Sequence, residues 1–170
     1  MDEQVQYSAR YDLGSIITHY FPTLRFGPTE LIIDLLETSH ELYQEMTVNL
    51  SNYGLSQGKF KILLSLLKHG RALNPSELAT FTGVTRSTVT GLIDGLEQDE
   101  LIRRGTEDDR RKTAIHLTDK GKQLMITVIP LYVSYTTDIL AALSEEEQAQ
   151  LANLLHKIRN GLEQAKPKHR

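Results

Sequence analysis

The sequence predicts a mainly α-helical chain of the α+β class that carries one small β-hairpin. Three observations predict it. Apolar residues recur at helical spacing through most of the chain beyond residue 30. Between Asn74 and Gln98 two shorter helical segments are joined by a tight turn at Gly83. Directly after them, two short β-branched stretches flank a charged loop.

The elements follow in order. Residues 1–29 form an N-terminal extension to which no element is assigned. Leu31 to Leu50 has apolar residues at 31, 32, 35, 36, 42, 43 and 46, and Asn52-Tyr53-Gly54 ends that helix, which with its flanks occupies 30–54. Ser56 is placed to cap a second helix with Phe60, Leu63, Leu64, Leu66 and Leu67 on its apolar side, stopped at Lys68-His69-Gly70. Asn74-Pro75-Ser76-Glu77 reads as a capping box with proline at the first helical position, opening a short helix through Phe81. Thr85 caps the next helix, Arg86 to about Gln98, whose apolar positions are Val89, Leu92, Ile93 and Leu96. Leu101 to Arg104 and Thr113 to Leu117 are strand-like, with the polar loop Gly105 to Lys112 between them. Thr118 opens a helix towards Leu143, with Pro130 inside it predicting a bend. Ser144 and Glu147 form a second capping box for a last helix through Leu162, and 166–170 is a tail.

Composition narrows the function classes. The 170 residues contain no cysteine, which removes disulfides, thiolate metal sites, cysteine nucleophiles and thiol redox sensing together. No apolar run reaches the roughly 18–20 residues needed to span a bilayer. No secretory signal pattern opens the chain, so a cytoplasmic location is expected and no membrane partner. The net charge of −3 is unevenly spread: residues 1–55 carry −6, residues 56–122 carry +3 and residues 123–170 are neutral. The basic middle is where a surface for nucleic acid is sought. The six histidines show no close ligand spacing, so no metal is expected. Glycine-rich phosphate loops and His-Glu-x-x-His are absent from the sequence, so neither an enzyme nor a cofactor is expected.

A short helix, a glycine turn, a second helix and a β-hairpin, from Asn74 to Leu117, make a winged helix-turn-helix. The second helix begins with little bulk, so it can approach a groove wall. The candidate DNA-binding residues are Ser76, Thr85, Arg86, Ser87, Thr88 and Thr90 on the two helices. Asp109, Arg110, Arg111 and Lys112 join them at the wing tip, where adjacent cations have no apolar face to serve. An arginine there can enter the minor groove, with Asp109 holding Arg111 extended. A winged helix used only to bind other proteins is the alternative.

The sequence also resembles the MarR family of bacterial and archaeal regulators over roughly residues 30–162. Asp109-Arg110-Arg111, followed by Ile115-His116-Leu117-Thr118-x-x-Gly121, matches the family pattern of acid, any residue, arginine, then a strand ending Leu-Thr-x-x-Gly. Asn74-Pro75-x-Glu77-Leu78-Ala79, Leu92-Ile93-x-x-Leu96-Glu97 with Leu101-Ile102-x-Arg104, and Leu55-Ser56-x-x-x-Phe60-x-Ile62-Leu63 match its other helices. The resemblance implies a transcriptional regulator, usually a repressor, that binds a palindromic double-stranded operator as a homodimer. The implied division is a dimerisation helix at 30–54, a DNA-binding region at 55–117 and dimerisation helices at 118–165. It further implies a small aromatic or phenolic effector, for which His40, Tyr43 and Phe60 are the candidate contacts.

Overall fold

The computed structural model describes residues 13–24, 27–106 and 113–165. The chain divides into two compact units, Met1–Gly54 and Leu55–Arg170. The first holds α1 (Leu13–Tyr20) and α2 (Gly27–Ser51). Both revise the sequence expectation, because α1 lies in the stretch left unassigned and α2 begins four residues before Leu31. Pro28 and Glu30 explain the earlier start. Proline has no N–H to leave unpaired in a first turn, and an acid there meets the positive end of the helix dipole.

The second unit runs α3 (Gln57–His69), α4 (Pro75–Thr82), α5 (Arg86–Gln98), β1 (Ile102–Thr106), β2 (Thr113–Leu117), α6 (Asp119–Ile139) and α7 (Glu145–Ala165). Its core is made by Phe60, Ile62, Leu63 and Leu66 of α3, Leu78 of α4, Val89, Ile93 and Leu96 of α5, and Ile102, Ala114 and Ile115 of the hairpin, with Met125 and Val128 of α6. Leu64, expected on the apolar side of α3, is instead exposed, and Ile62 takes its place. At about 100° per residue, positions 62, 63 and 66 share a face that position 64 leaves.

Local chemistry sets the helix ends. Asn74 Oδ1 accepts from the Ser76 and Glu77 amides at 3.0 Å, and the Asn74 amide donates to Glu77 Oε2 at 2.8 Å, which completes the capping box. Ser144 and Glu147 make the same reciprocal pair at 2.8 and 3.3 Å. Gly83 closes α4 with φ of 72°, a left-handed conformation that lets the chain turn into α5 within three residues. α6 runs through Pro130 and stops at Leu140, short of the expected Leu143, because the chain turns there to start α7.

The two strands pair antiparallel, with Arg103 opposite His116 and Gly105 opposite Ala114. Gly105 and Thr106 belong to β1 rather than to the loop, since ladder bonding needs only backbone groups. Leu73 adds a one-residue third strand, its amide donating to Ile115 O at 3.1 Å and its carbonyl accepting from Ile115 N at 2.9 Å. A single bridge leaves no periodic trace in a sequence.

Candidate nucleic-acid interface

Helix α5 separates its residues cleanly. Val89, Ile93 and Leu96 are buried, while Thr85, Arg86, Ser87, Thr88 and Thr90 are exposed on the other side. Thr85 caps the helix, its Oγ1 accepting from the Thr88 amide at 3.3 Å. The same oxygen lies 2.9 Å from Ser87 Oγ and 2.9 Å from Thr88 Oγ1, so three hydroxyls cluster at the positive end of α5. Thr90 donates to the Arg86 carbonyl at 3.1 Å. A helix start bearing free amides and hydroxyls is suited to phosphate oxygens and base edges.

Arg86 reaches back across the turn, and its Nη2 donates to Ser76 Oγ at the start of α4. Ser76, Thr80, Phe81, Arg86 and Thr113 line one open concavity of about 660 Å³, which joins the two helices to strand β2. Among the sequence candidates, Ser76, Thr85, Arg86, Ser87, Thr88 and Thr90 are thereby placed in the helix-turn-helix. Asp109, Arg110, Arg111 and Lys112 lie outside the described residues.

Two ion-pair networks brace this surface, and sequence reading gave neither a role. Arg104 of β1 bonds Asp94 and, through Nη1 at 2.7 Å, Glu97, both on α5, while its amide donates to Glu97 Oε1 at 3.2 Å. The Asp94 bond, offset by partial burial and joined by the Glu97 charge, holds the guanidinium above its ordinary pKa. The strand that leads into the wing is thus fastened to the helix beside it. Arg71 pairs with Glu77 at 2.7 Å, and that bond, with the Asn74 amide, holds the Glu77 carboxyl below its ordinary value of 4.5. Residues 97 and 104 sit in different elements, so spacing rules do not link them. Only opposite charge on a shared motif hinted at the pair.

The candidate effector contacts are separately placed. His40 and Tyr43 lie on α2, both exposed, with His40 Nε2 2.8 Å from Gln44 Nε2. Phe60 is buried and stacks on Tyr132, centroids 4.9 Å apart. Among the described residues no three histidines or carboxylates cluster as a metal site would require.

The helix-turn-helix with its braced β-hairpin defines a winged-helix DNA-binding protein. Comparison with known proteins narrows this. A MarR family profile matches residues 55–113. The chain is 36% identical over 131 residues to the HTH-type transcriptional repressor YetL of Bacillus subtilis, covering 76% of this chain and 78% of that one. AbsC, a MarR family transcriptional regulator from Streptomyces coelicolor, superposes with a TM-score of 0.73 at 26% identity, covering 82% of this chain and 97% of AbsC. MepR of S. aureus, in a crystal structure of its DNA complex, gives a TM-score of 0.67 at 27% identity over 75% of this chain and 94% of MepR. The chain belongs to the MarR family of transcriptional regulators, whose members are regulators rather than enzymes. No described helix is long and apolar enough to cross a membrane.

Proposed function

We propose that this chain is a cytoplasmic repressor that binds a palindromic operator as a homodimer. The observation that carries the proposal is the exposed hydroxyl and arginine face of α5, set on a buried apolar face and braced to the wing by Arg104. Residues 55–117 form the DNA-binding region, with Arg86 and the hydroxyls of α5 in the major groove. Asp109 to Lys112 supply the wing contact. The DNA complex of MepR supports this reading.

Residues 30–54 and 118–165 are proposed as the dimerisation region. Exposed apolar side chains support it in both units. On α2, Leu31, Leu36 and Val48 are each about 60% exposed or more, and on α7, where no residue is buried, Leu154 and Leu162 are more than half exposed. Isolated exposed leucines are ordinary, but rows of them along whole helices mark surfaces that a partner covers. The operator half-sites then lie about one helical turn apart, roughly 10 bp. For the aromatic or phenolic effector, exposure favours His40 and Tyr43 as contacts, whereas the stack on Tyr132 gives Phe60 a packing role.

Selection from random duplexes tests the proposal, followed by titration of the selected site at several salt concentrations. A palindrome should emerge. With about 6–10 phosphates neutralised per dimer, its affinity should fall about 10³–10⁵-fold between 50 and 200 mM salt. Failure to select any site, or a flat salt response, would assign the basic middle segment to a protein partner instead.

A further inference from the structure

Several cations of the second unit are held in ion pairs. Lys59 pairs with Asp99, Arg71 with Glu77, Arg104 with Asp94 and Glu97, and Lys120 with Glu100. Another group converges on one cavity instead. Arg103 of β1, His116 of β2 and Lys122 of α6 line a single cavity of about 330 Å³, together with Arg71 and Asp119. Among the described residues, Arg103, His116 and Lys122 have no ion-pair partner. Asp119 is the one acid in the lining, against three permanent cations and an imidazole.

The hairpin geometry gathers them. Arg103 and His116 are opposite one another in the antiparallel register, so their side chains share one face of the ribbon. Both lean over Gly105, where a Cβ atom would come within 2.9 Å of His116 Nε2 and 3.7 Å of Arg103 Nη1. Successive strand residues point to opposite faces, and Arg104 points to α5, where it bonds Asp94 and Glu97. Arg103 and His116 therefore face away from α5. The opposite wall is the C-terminal end of α3, through Leu66, Leu67 and Gly70, and Lys122 closes the cavity from the first turn of α6.

We infer that this cavity at the base of the wing binds a small multivalent oxyanion, with carboxylate or phosphate oxygens held by Arg103, His116 and Lys122. A guanidinium offers a planar fork of donors to such oxygens, and an ammonium adds a point charge. The volume lies at the lower end of the range for small-molecule sites. Because the lining comes from α3, both strands and α6, a bound anion ties the base of the wing to the helices behind it. Helix α5 lies on the other face of the ribbon, where Arg104 bonds it, so the site is assigned to a free anion rather than to DNA held by α5. The inference concerns the DNA-free protein and stands apart from the repressor reading.

The test uses the full chain and two probes, citrate and inorganic phosphate, titrated by calorimetry at constant ionic strength set with chloride. The expected result is saturable binding of at least one probe, weakened about tenfold or more in Arg103→Gln/Lys122→Gln and largely restored when Arg103 is replaced by Lys with Lys122 intact. Thermal unfolding of each variant shows whether the fold is kept. If the double variant fails to fold, Lys122→Gln alone, on the exposed first turn of α6, gives the same comparison. Absence of saturable binding by both probes, or equal binding by the parent and the folded variant, overturns the inference. So does a folded variant whose operator affinity shows a shallower chloride dependence than the parent's in buffer free of citrate and phosphate, because the cluster would then hold DNA phosphates.

Discussion

Gly121 shows how a single residue joins two elements. Thr118 caps α6 by accepting from the Gly121 amide at 3.0 Å, and its hydroxyl lies 3.0 Å from Leu101 O, to which it donates. A Cβ on Gly121 would stand 2.1 Å from that same carbonyl oxygen. The Leu-Thr-x-x-Gly motif is thus a packing requirement, with glycine letting the first turn of α6 lie against the backbone that leads into β1. Gly121→Ala should destabilise the fold by about 3 kcal/mol, read as a lower urea midpoint at unchanged slope. An unchanged midpoint would mean that the two backbones separate at little cost. Glu77 makes a pH-dependent contribution. Its carboxyl is held below 4.5 by Arg71, so the stability it confers is present above that pH and is lost as pH falls through the depressed value. Its side chain keeps a 28% exposure, which limits the effect to about 0.5–1 kcal/mol. Glu77→Gln should therefore lower stability at neutral pH, and the gap to the parent should close as pH drops below 4.5. A gap that stays constant down to strong acid would assign the loss to the capping geometry alone.

At the scale of elements, α5 and the wing should read DNA in different ways. Arg86, in the first turn of α5, bonds Ser76 in the free chain and is proposed to exchange that bond for a DNA contact. If it makes a bidentate guanine contact, Arg86→Ala costs about 1–3 kcal/mol and relaxes preference at one base pair per half-site. If it holds a phosphate, the loss is uniform across sequences and the salt slope falls by about one unit per half-site. Arg111 is proposed for the wing contact, and minor-groove readout separates A·T from G·C and little else. Arg111→Ala should weaken binding broadly, most of all on operators with A·T-rich flanks. Both variants measured against one library of operator sequences decide the matter. Parental affinity of Arg111→Ala for every operator, in a folded dimer, would remove the wing from the interface.

At the scale of the whole molecule, the proposal requires two chains. Helix α7 spans 21 residues without burying one of them, and Leu151, Leu154 and Leu162 remain exposed along it. Deleting residues 144–170 should abolish both dimerisation and specific operator binding, as read by sedimentation and by titration of the selected site. A truncated monomer with full operator affinity would show that the winged module recognises its site alone.

Much of this molecule was legible in its sequence because the signals are local. Capping boxes at Asn74 and Ser144, the glycine turn at Gly83 and the apolar spacing of α5 each depend on residues within a turn or two of one another. The same locality made Thr85, Arg86, Ser87, Thr88 and Thr90 recognisable as one exposed face. The early start of α2 was missed because its first turn carries no apolar residue before Leu31, and α1 because eight residues hold barely two turns of pattern. What the sequence by itself determined was the order of elements after α1, the winged helix and the polar face of α5. Tertiary structure alone decided which distant residues meet: Leu73 with Ile115, Arg104 with Asp94 and Glu97, and Arg103 beside His116 and Lys122. These contacts join residues 7 to 42 positions apart, through strand register and helix packing that no local spacing encodes.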